Sequence, residues 1–261
     1  KPYLLEQIDN NMGSVTNIGY STSTQYYLED QTQPETAWTS PLPFPVQVVA
    51  QVESIDEISR GKLTTEYTYH HGYWDGAERE FRGFGRVDQR DTEVFQQYHS
   101  TGLDDDEKEY SAVPAKRFSP PTELRTWFHQ GPVGPEYGDW KETDFRHEFW
   151  QGDPQAFRRS SETDALLKRL TSENRRDARD AVRALRGRVL RTELYALDGT
   201  SRQARPYTIS ENLYGLREEE KPSDGESRGR IFFPFEEAQR TTQWERGDDP
   251  MTQFTFTDDY D

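Results

Sequence analysis

The 261-residue chain carries 48 acidic against 32 basic side chains, a net charge of −16, so phosphate backbones and anionic membrane surfaces are poor partners. It has no cysteine, which excludes disulfides, thiolate metal sites and cysteine nucleophiles. Leu, Ile, Val and Phe supply only 18% of the residues, a level at which disorder competes with folding, while aromatic residues supply 13%, which favours thin aromatic-rich sheets over a thick aliphatic core. Seven lysines against 25 arginines fit either a salt-rich habitat or Arg-favouring codon usage. No apolar run approaches the roughly 20 residues of a spanning helix, and no signal peptide opens the chain. The abrupt ends, "KPYLLEQIDNN" and "FTFTDDYD", read as those of a piece of a longer protein.

In chain order, residues 1–30 predict a hairpin, with Asn10, Asn11 and Gly13 as its turn. "QTQPETAWTSPLP" is a proline-punctuated loop. "FPVQVVAQVESID" predicts a strand with Val46, Val48, Ala50 and Val52 on one face, and "GKLTTEYTYH" another with Leu63, Thr65, Tyr67 and Tyr69 aligned. "STGLDDDEKEYSAVPA" is an acidic loop without the ligand spacing of an EF-hand. "PPTELRTWFHQGP" predicts a short strand ending in a turn, and "GDWKETDFRHEFWQGDP" a short helical or extended segment. "TSENRRDARDAVRALRG" predicts a single charged helix near 172–186, capped by Ser172, with Ala178, Val182 and Leu185 at helical spacing and Gly187 at its C-terminus. Beyond it the pattern returns to β, with Leu190, Thr192, Leu194 and Ala196 on one face, a turn at Asp198-Gly199, then Tyr207, Ile209 and Leu213, and two or three aromatic strands. The organisation is therefore mainly β: a strand-rich stretch over 1–100, a loop-rich stretch with one helix over 101–188, and antiparallel strands over 189–261, read as one continuous segment.

The densest functional chemistry lies in "YHHGYWDGAEREFRGFGRVD", residues 69–88. His70 and His71 are adjacent, and neighbours in a strand point to opposite faces, so they do not clamp one metal ion; His99, His129 and His147 supply no obvious third ligand. Glu78 and Glu80, two apart, would share a strand face, the pattern of a glycosidase pair, but Arg79, Arg82 and Arg86 favour ion pairing. "GFGRVD" lacks the third glycine and the βαβ context of a dinucleotide site. Gly72, Gly76, Gly83 and Gly85 suit turns, bulges or close backbone approach, with Tyr73, Trp74, Phe81 and Phe84 stacking between them. Catalytic, cofactor and metal residues are thus none.

The stretch "TEYTYHHGYWDGAEREFRGFGRVDQRDTE" resembles the signature of the B component of bacterial insecticidal toxin complexes (Tc toxins), in that protein's middle region. "PYLLEQIDNNMGSVTNIGYSTSTQYYLED" and "LPFPVQVVAQVESIDEISRGKLTT" precede it in the family's order. "LRTWFHQG", "EFWQGDPQA", "RDAVRALRGRVLRTELYALDGT", "RPYTISENLYG" and "IFFPFEEAQRTTQWERGDDP" follow, so the resemblance covers nearly the whole chain. It implies antiparallel strands in an RHS/YD-repeat shell, formed with a C component around a cytotoxic cargo. It further implies a secreted virulence factor that delivers cargo through a pore-forming A component. The family's self-cleaving aspartates belong to the C component, so none is carried over. His70, His71, Gly72, Trp74, Asp75, Gly76, Glu78, Arg79, Glu80, Phe81, Arg82, Gly83, Phe84 and Gly85 become a structural signature. The linker Pro132–Asp139 and the insert Asp104–Glu109 depart from the pattern. Two rival readings are a secreted carbohydrate- or protein-binding module stacking ligand on Trp74, Trp127, Trp140 and Trp150, and a glycosidase using Glu78 and Glu80.

Overall fold

A computed structural model describes residues 3–32, 36–58, 61–91, 119–134, 139–153, 157–220 and 229–258; the acidic loop, Asp104–Glu109 and His99 lie outside them. The described strands form one antiparallel sheet whose spatial order equals chain order. They are β1 (Gln7–Asp9), β2 (Ser14–Thr22), β3 (Gln47–Asp56), β4 (Gly61–Asp75), β5 (Glu80–Asp91), β6 (Thr122–Phe128), β7 (Val189–Ala196), β8 (Thr208–Glu220), β9 (Ile231–Gln243) and β10 (Met251–Phe256). The first turn forms where the sequence places it, with Asn11 (φ 55°) and Gly13 (φ 90°) in the left-handed region.

The rest of that predicted hairpin is different. Helix α1 (Ser23–Asp30) follows β2 directly and buries Ser23, Tyr26 and Asp30, spaced three and four apart on one helical face. It fills the wedge where β3 leaves β4: pairing of those strands ends at Gln51 and Glu66, Tyr26 Oη donates to the Tyr67 carbonyl, and Tyr69 Oη donates to that of Val49. The tyrosines that read as strand residues therefore fasten a helix.

The single helix near 172–186 is also corrected. Helix α2 (Ser161–Glu173) is capped by Ser160, whose side chain accepts from the Thr163 N–H at 3.3 Å. Helix α3 (Arg175–Arg183) is capped by Asn174, which is extended and accepts from the Arg176 N–H at 3.1 Å. Ser172 lies inside the last turn of α2 and donates to the Arg169 carbonyl, so it caps nothing. Leu170, Ala178, Ala181 and Leu185 pack with Leu216 of β8, the larger of two small apolar clusters. In the other, Tyr26, Trp38 and Val48 pack with Tyr69 and Phe84.

The strand registers align one row of side chains across seven adjacent strands: His70, Arg86, Trp127, Arg191, Glu211, Arg240 and Phe254. Arg191, Glu193, Tyr195, Glu211 and Arg240 of this face are buried, whereas Thr192 and Leu194, on the opposite face, stay half-exposed. The predicted alternation of Leu190, Thr192, Leu194 and Ala196 is present in β7, but its charged side is the covered one. The reason lies in what covers it. Residues 141–153, in the stretch predicted as a short helical or extended segment, have no strand ladder beyond an isolated bridge at Lys141; with Phe157 they cross the sheet from His71 of β4 to Phe254 of β10.

Candidate functional site

The signature hairpin joins β4 to β5 through a turn over Gly76–Arg79, with Arg79 at φ 53°. Asp75, 1% exposed, organises it. Its Oδ1 accepts from the N–H groups of Ala77 (3.1 Å) and Glu78 (3.2 Å), and its Oδ2 accepts from Arg82 Nη2 and Arg179 Nη2, both at 2.6 Å. One carboxylate thus faces two buried guanidinium groups, one of them on α3. Burial lowers the Arg82 pKa from its ordinary value, Asp75 opposes that, and the nearby Arg183 and Arg179 add to it.

Glu78 sits in the turn and Glu80 opens β5, so the shared strand face expected of a carboxylate pair does not form. Both are drawn into ion pairs with α3 and its C-terminal turn. Arg183 lies 3.4 Å from Glu78 Oε2 and 3.4 Å from Glu80 Oε2; Arg186 also pairs with Glu80, and Arg82 Nε lies 3.3 Å from it. Both carboxylates are thus held in an arginine ion-pair cluster that ties the hairpin to α3.

The histidines differ from the regular-strand expectation. His71 is in the left-handed region (φ 56°), the local pairing is irregular, and the two rings lie 6.4 Å apart. His70 Nδ1 lies 2.9 Å from Asp30 Oδ1 and its Nε2 3.6 Å from Asp88. Trp38 Nε1 donates to the same Asp30 at 2.6 Å. His71 Nε2 meets Glu148 Oε1 at 2.5 Å, while Glu148 Oε2 accepts from Trp127 Nε1 (2.8 Å) and Arg86 Nη1 (3.4 Å). Among the described residues no group of three or more His, Asp and Glu could hold a metal ion.

Burial works against a charged His70, yet hydrogen bonds to Asp30 and Asp88 raise its pKa from 6.5 to about 9. Burial likewise works against charged Asp88 and Glu148, yet their histidine and arginine partners, with Trp127 at Glu148, hold both at about 2. Protonated His70 therefore stabilises the fold fully below pH 6.5, and its contribution, about 3 kcal/mol, disappears as pH rises through 9. The carboxylates contribute fully above their ordinary values of 3.8 and 4.5 and lose that contribution as pH falls toward 2. Urea midpoints measured against pH should show a plateau with both limbs, and His70→Gln should flatten the alkaline limb.

The crossing segment is fixed to the charged row by its acids and backbone. The Phe149 ring meets Trp127 edge-on at 5.0 Å and lies under the Arg191 guanidinium at 4.7 Å. The Trp150 N–H donates to Glu193 Oε1 at 3.0 Å. Asp153 accepts from Arg240 Nη1 and Nη2 at 3.0 and 2.8 Å and pairs with Arg191 at 3.1 Å. The Phe157 N–H donates to Glu211 Oε1 at 2.9 Å. Arginine forks and carboxylates pair where apolar burial would normally act, although Arg191 Nη2 and Arg240 Nε stay buried without a hydrogen-bond partner. Trp127 is fully buried, and Trp74, Trp140 and Trp150 are half-buried against Phe44, Arg175 and Trp244, so these four rings do not form the exposed row expected of a sugar-stacking platform.

Residues 1–106 match the family model of the insecticide toxin TcdB middle/N-terminal region, and residues 180–261 that of its middle/C-terminal region. The chain belongs to the middle region of the Tc toxin B components. Solved Tc toxin structures share its fold. The TcdB2–TccC3 crystal structure matches at 27% identity and a TM-score of 0.71, over 98% of this chain and 12% of that one. The TcdB2–TccC3–Cdc42 crystal structure matches at 30% identity and 0.72, over 98% and 11%. The Photorhabdus luminescens Tc holotoxin pore matches at 28% identity and 0.73, over 98% and 11%. The chain thus spans about an eighth of the length of these relatives. No curated protein matches it.

In this B-component region two glycines of the hairpin, Gly72 and Gly85, stand where a side chain would clash. A Cβ on Gly72 would overlap the six-membered ring of Trp38, and one on Gly85 would lie 2.5 Å from Phe145 Cζ. Trp38 cannot yield easily, because Asp30 holds its indole and Tyr27 and Phe84 pack its faces. Gly72→Ala is therefore expected to cost about 1–3 kcal/mol in urea unfolding, and Gly76→Ala much less, since a Cβ there meets nothing within 4 Å. Sequence reasoning missed Arg179, Glu148, Asp153 and Glu193. Only the acid and aromatic density of "EFWQGDP" marked any of them.

Proposed function

We propose that this chain is a non-enzymatic wall segment of a hollow shell. With a C component, the shell encloses a cytotoxic polypeptide and passes it to a pore-forming A component. In this reading the stretches 1–100, 101–188 and 189–261 are one continuous piece of wall in a longer, secreted virulence protein of RHS/YD-repeat type. Nucleic acid and direct membrane insertion have no part; no helix among the described residues is long and apolar enough to cross a membrane. His70 to Gly85 act as a structural signature that sets the path of the chain.

The observation that carries the reading is the sequential one-sheet meander, tied on one face by ion pairs and ending at β10, whose six residues are all exposed. An exposed strand edge invites a further strand, and serial strands of this kind suit a wall. The similar TcdB2–TccC3 and Tc holotoxin pore structures support the choice of partners.

The test is protection of cargo. In the full-length B component assembled with its C component, the cargo should resist added protease. Glu78→Gln with Glu80→Gln should change only stability or assembly yield. Loss of a measurable catalytic turnover in that variant, with unfolding and assembly unchanged, would contradict the proposal.

A further inference from the structure

The two faces of the sheet differ in kind. One uncovered row runs Val87, Thr126, Thr192, Ser210, Thr241, Gln253 across β5 to β10. The next runs Gln89, Leu124, Leu194, Thr208, Gln243, Met251. None of these residues is buried and none is charged, in a chain whose residues are 31% charged. Their polar groups are partly spent on one another: Ser210 Oγ and Thr241 Oγ1 lie 3.3 Å apart, and in the adjoining row Gln239 Nε2 donates to Asn212 Oδ1 at 3.1 Å. Charged side chains return at the margins of this face, at Asp91 of β5 and farther along β8 at Arg217 and Glu219, the last two pairing at 2.5 Å.

Resting on the shell reading, we propose that this uncharged face is the inner lining, turned toward the enclosed unfolded polypeptide and touching it without charge preference. An unfolded chain carries charges of both signs. In a confined space with little water, ion pairs to the wall would strengthen and hold it in place. A flat surface of hydroxyl, amide and isolated apolar groups gives no such hold. The opposite face carries α2, α3 and the crossing segment, all of which would take up room inside.

The chain lacks cysteine, so Thr192→Cys and Ser172→Cys can be placed singly in an otherwise cysteine-free full-length B component assembled with its C component. Thr192 lies on the uncharged face and Ser172 is exposed on α2. A small maleimide and a polymer-bearing maleimide too large to pass the wall are applied to each. The expected result is that the Thr192→Cys protein reacts with the small reagent and loses reaction with the large one, while the Ser172→Cys protein reacts with both. The reverse pattern, or protection of both positions from the large reagent, overturns the face assignment and leaves the shell reading standing. Reaction of both positions with the large reagent overturns the shell reading itself. Thr192→Lys with Thr241→Lys should preserve assembly and slow release of an acidic cargo; unchanged release would overturn the low-adhesion role.

Discussion

Asp75→Ala is expected to destabilise the chain by about 3–5 kcal/mol, the range seen when one member of a buried ion pair is removed. The substitution leaves Arg82 and Arg179, 3% and 1% exposed, facing each other without the carboxylate between them. It also removes the acceptor for the Ala77 and Glu78 N–H groups in the turn. Asp75→Asn keeps a side-chain oxygen for the turn and loses only the charge, so it should fall between the two. Adding Arg179→Met to Asp75→Ala should recover part of the loss, because one uncompensated charge disappears. Urea unfolding followed by tryptophan fluorescence measures all three. A loss below about 1 kcal/mol for Asp75→Ala would place the hairpin outside the stability core.

Glu193→Ala should be as damaging, for a different reason. Glu193 is 0% exposed and serves three donors: Arg191 Nε at 2.7 Å, Tyr195 Oη at 2.5 Å and the Trp150 N–H at 3.0 Å. Truncation leaves the Arg191 Nε–H, the Tyr195 hydroxyl and the Trp150 amide without this acceptor, although Arg191 keeps Asp153, and each lost acceptor costs free energy. We expect about 3–5 kcal/mol, with faster hydrogen exchange at the Trp150 amide, since that N–H loses its acceptor. Substitutions of Thr192, one residue away on the uncovered face, should stay within about 0.5 kcal/mol. The contrast between neighbours tests which face of β7 is covered.

Much of the β architecture was legible. Period-two alternation and turn residues marked most strands, because each strand has two faces and each turn needs particular backbone angles. The side of burial was not legible. Hydropathy places Leu194 inside and Arg191 outside, and the opposite holds because the cover brings Asp153 to Arg191 and the register of β8 sets Glu211 beside it. Those partners are 38 residues before and 20 after it in the chain, and only the folded arrangement brings them together. Helix α1 was hidden by Tyr26 and Tyr27, which read as strand residues although Tyr26 bonds the Tyr67 carbonyl and Tyr27 packs on Trp38, and α2 by its high polarity. The stretch is ion-paired, but Glu78 and Glu80 meet Arg183 and Arg186 more than the Arg79, Arg82 and Arg86 expected from the sequence. Its main partners, Arg179 on α3 and Glu148 in the crossing segment, lie 104 and 77 residues away from Asp75 and His71.

The central claim is that ion pairs, more than apolar burial, fasten the crossing segment to the sheet. A double-mutant cycle between Asp153→Ala and Arg240→Met, followed by urea unfolding, tests it most directly. The two side chains share two hydrogen bonds and are each about 2% exposed. A coupling of about 2 kcal/mol or more is expected; additivity within about 0.5 kcal/mol would show that the pair does not fasten the segment.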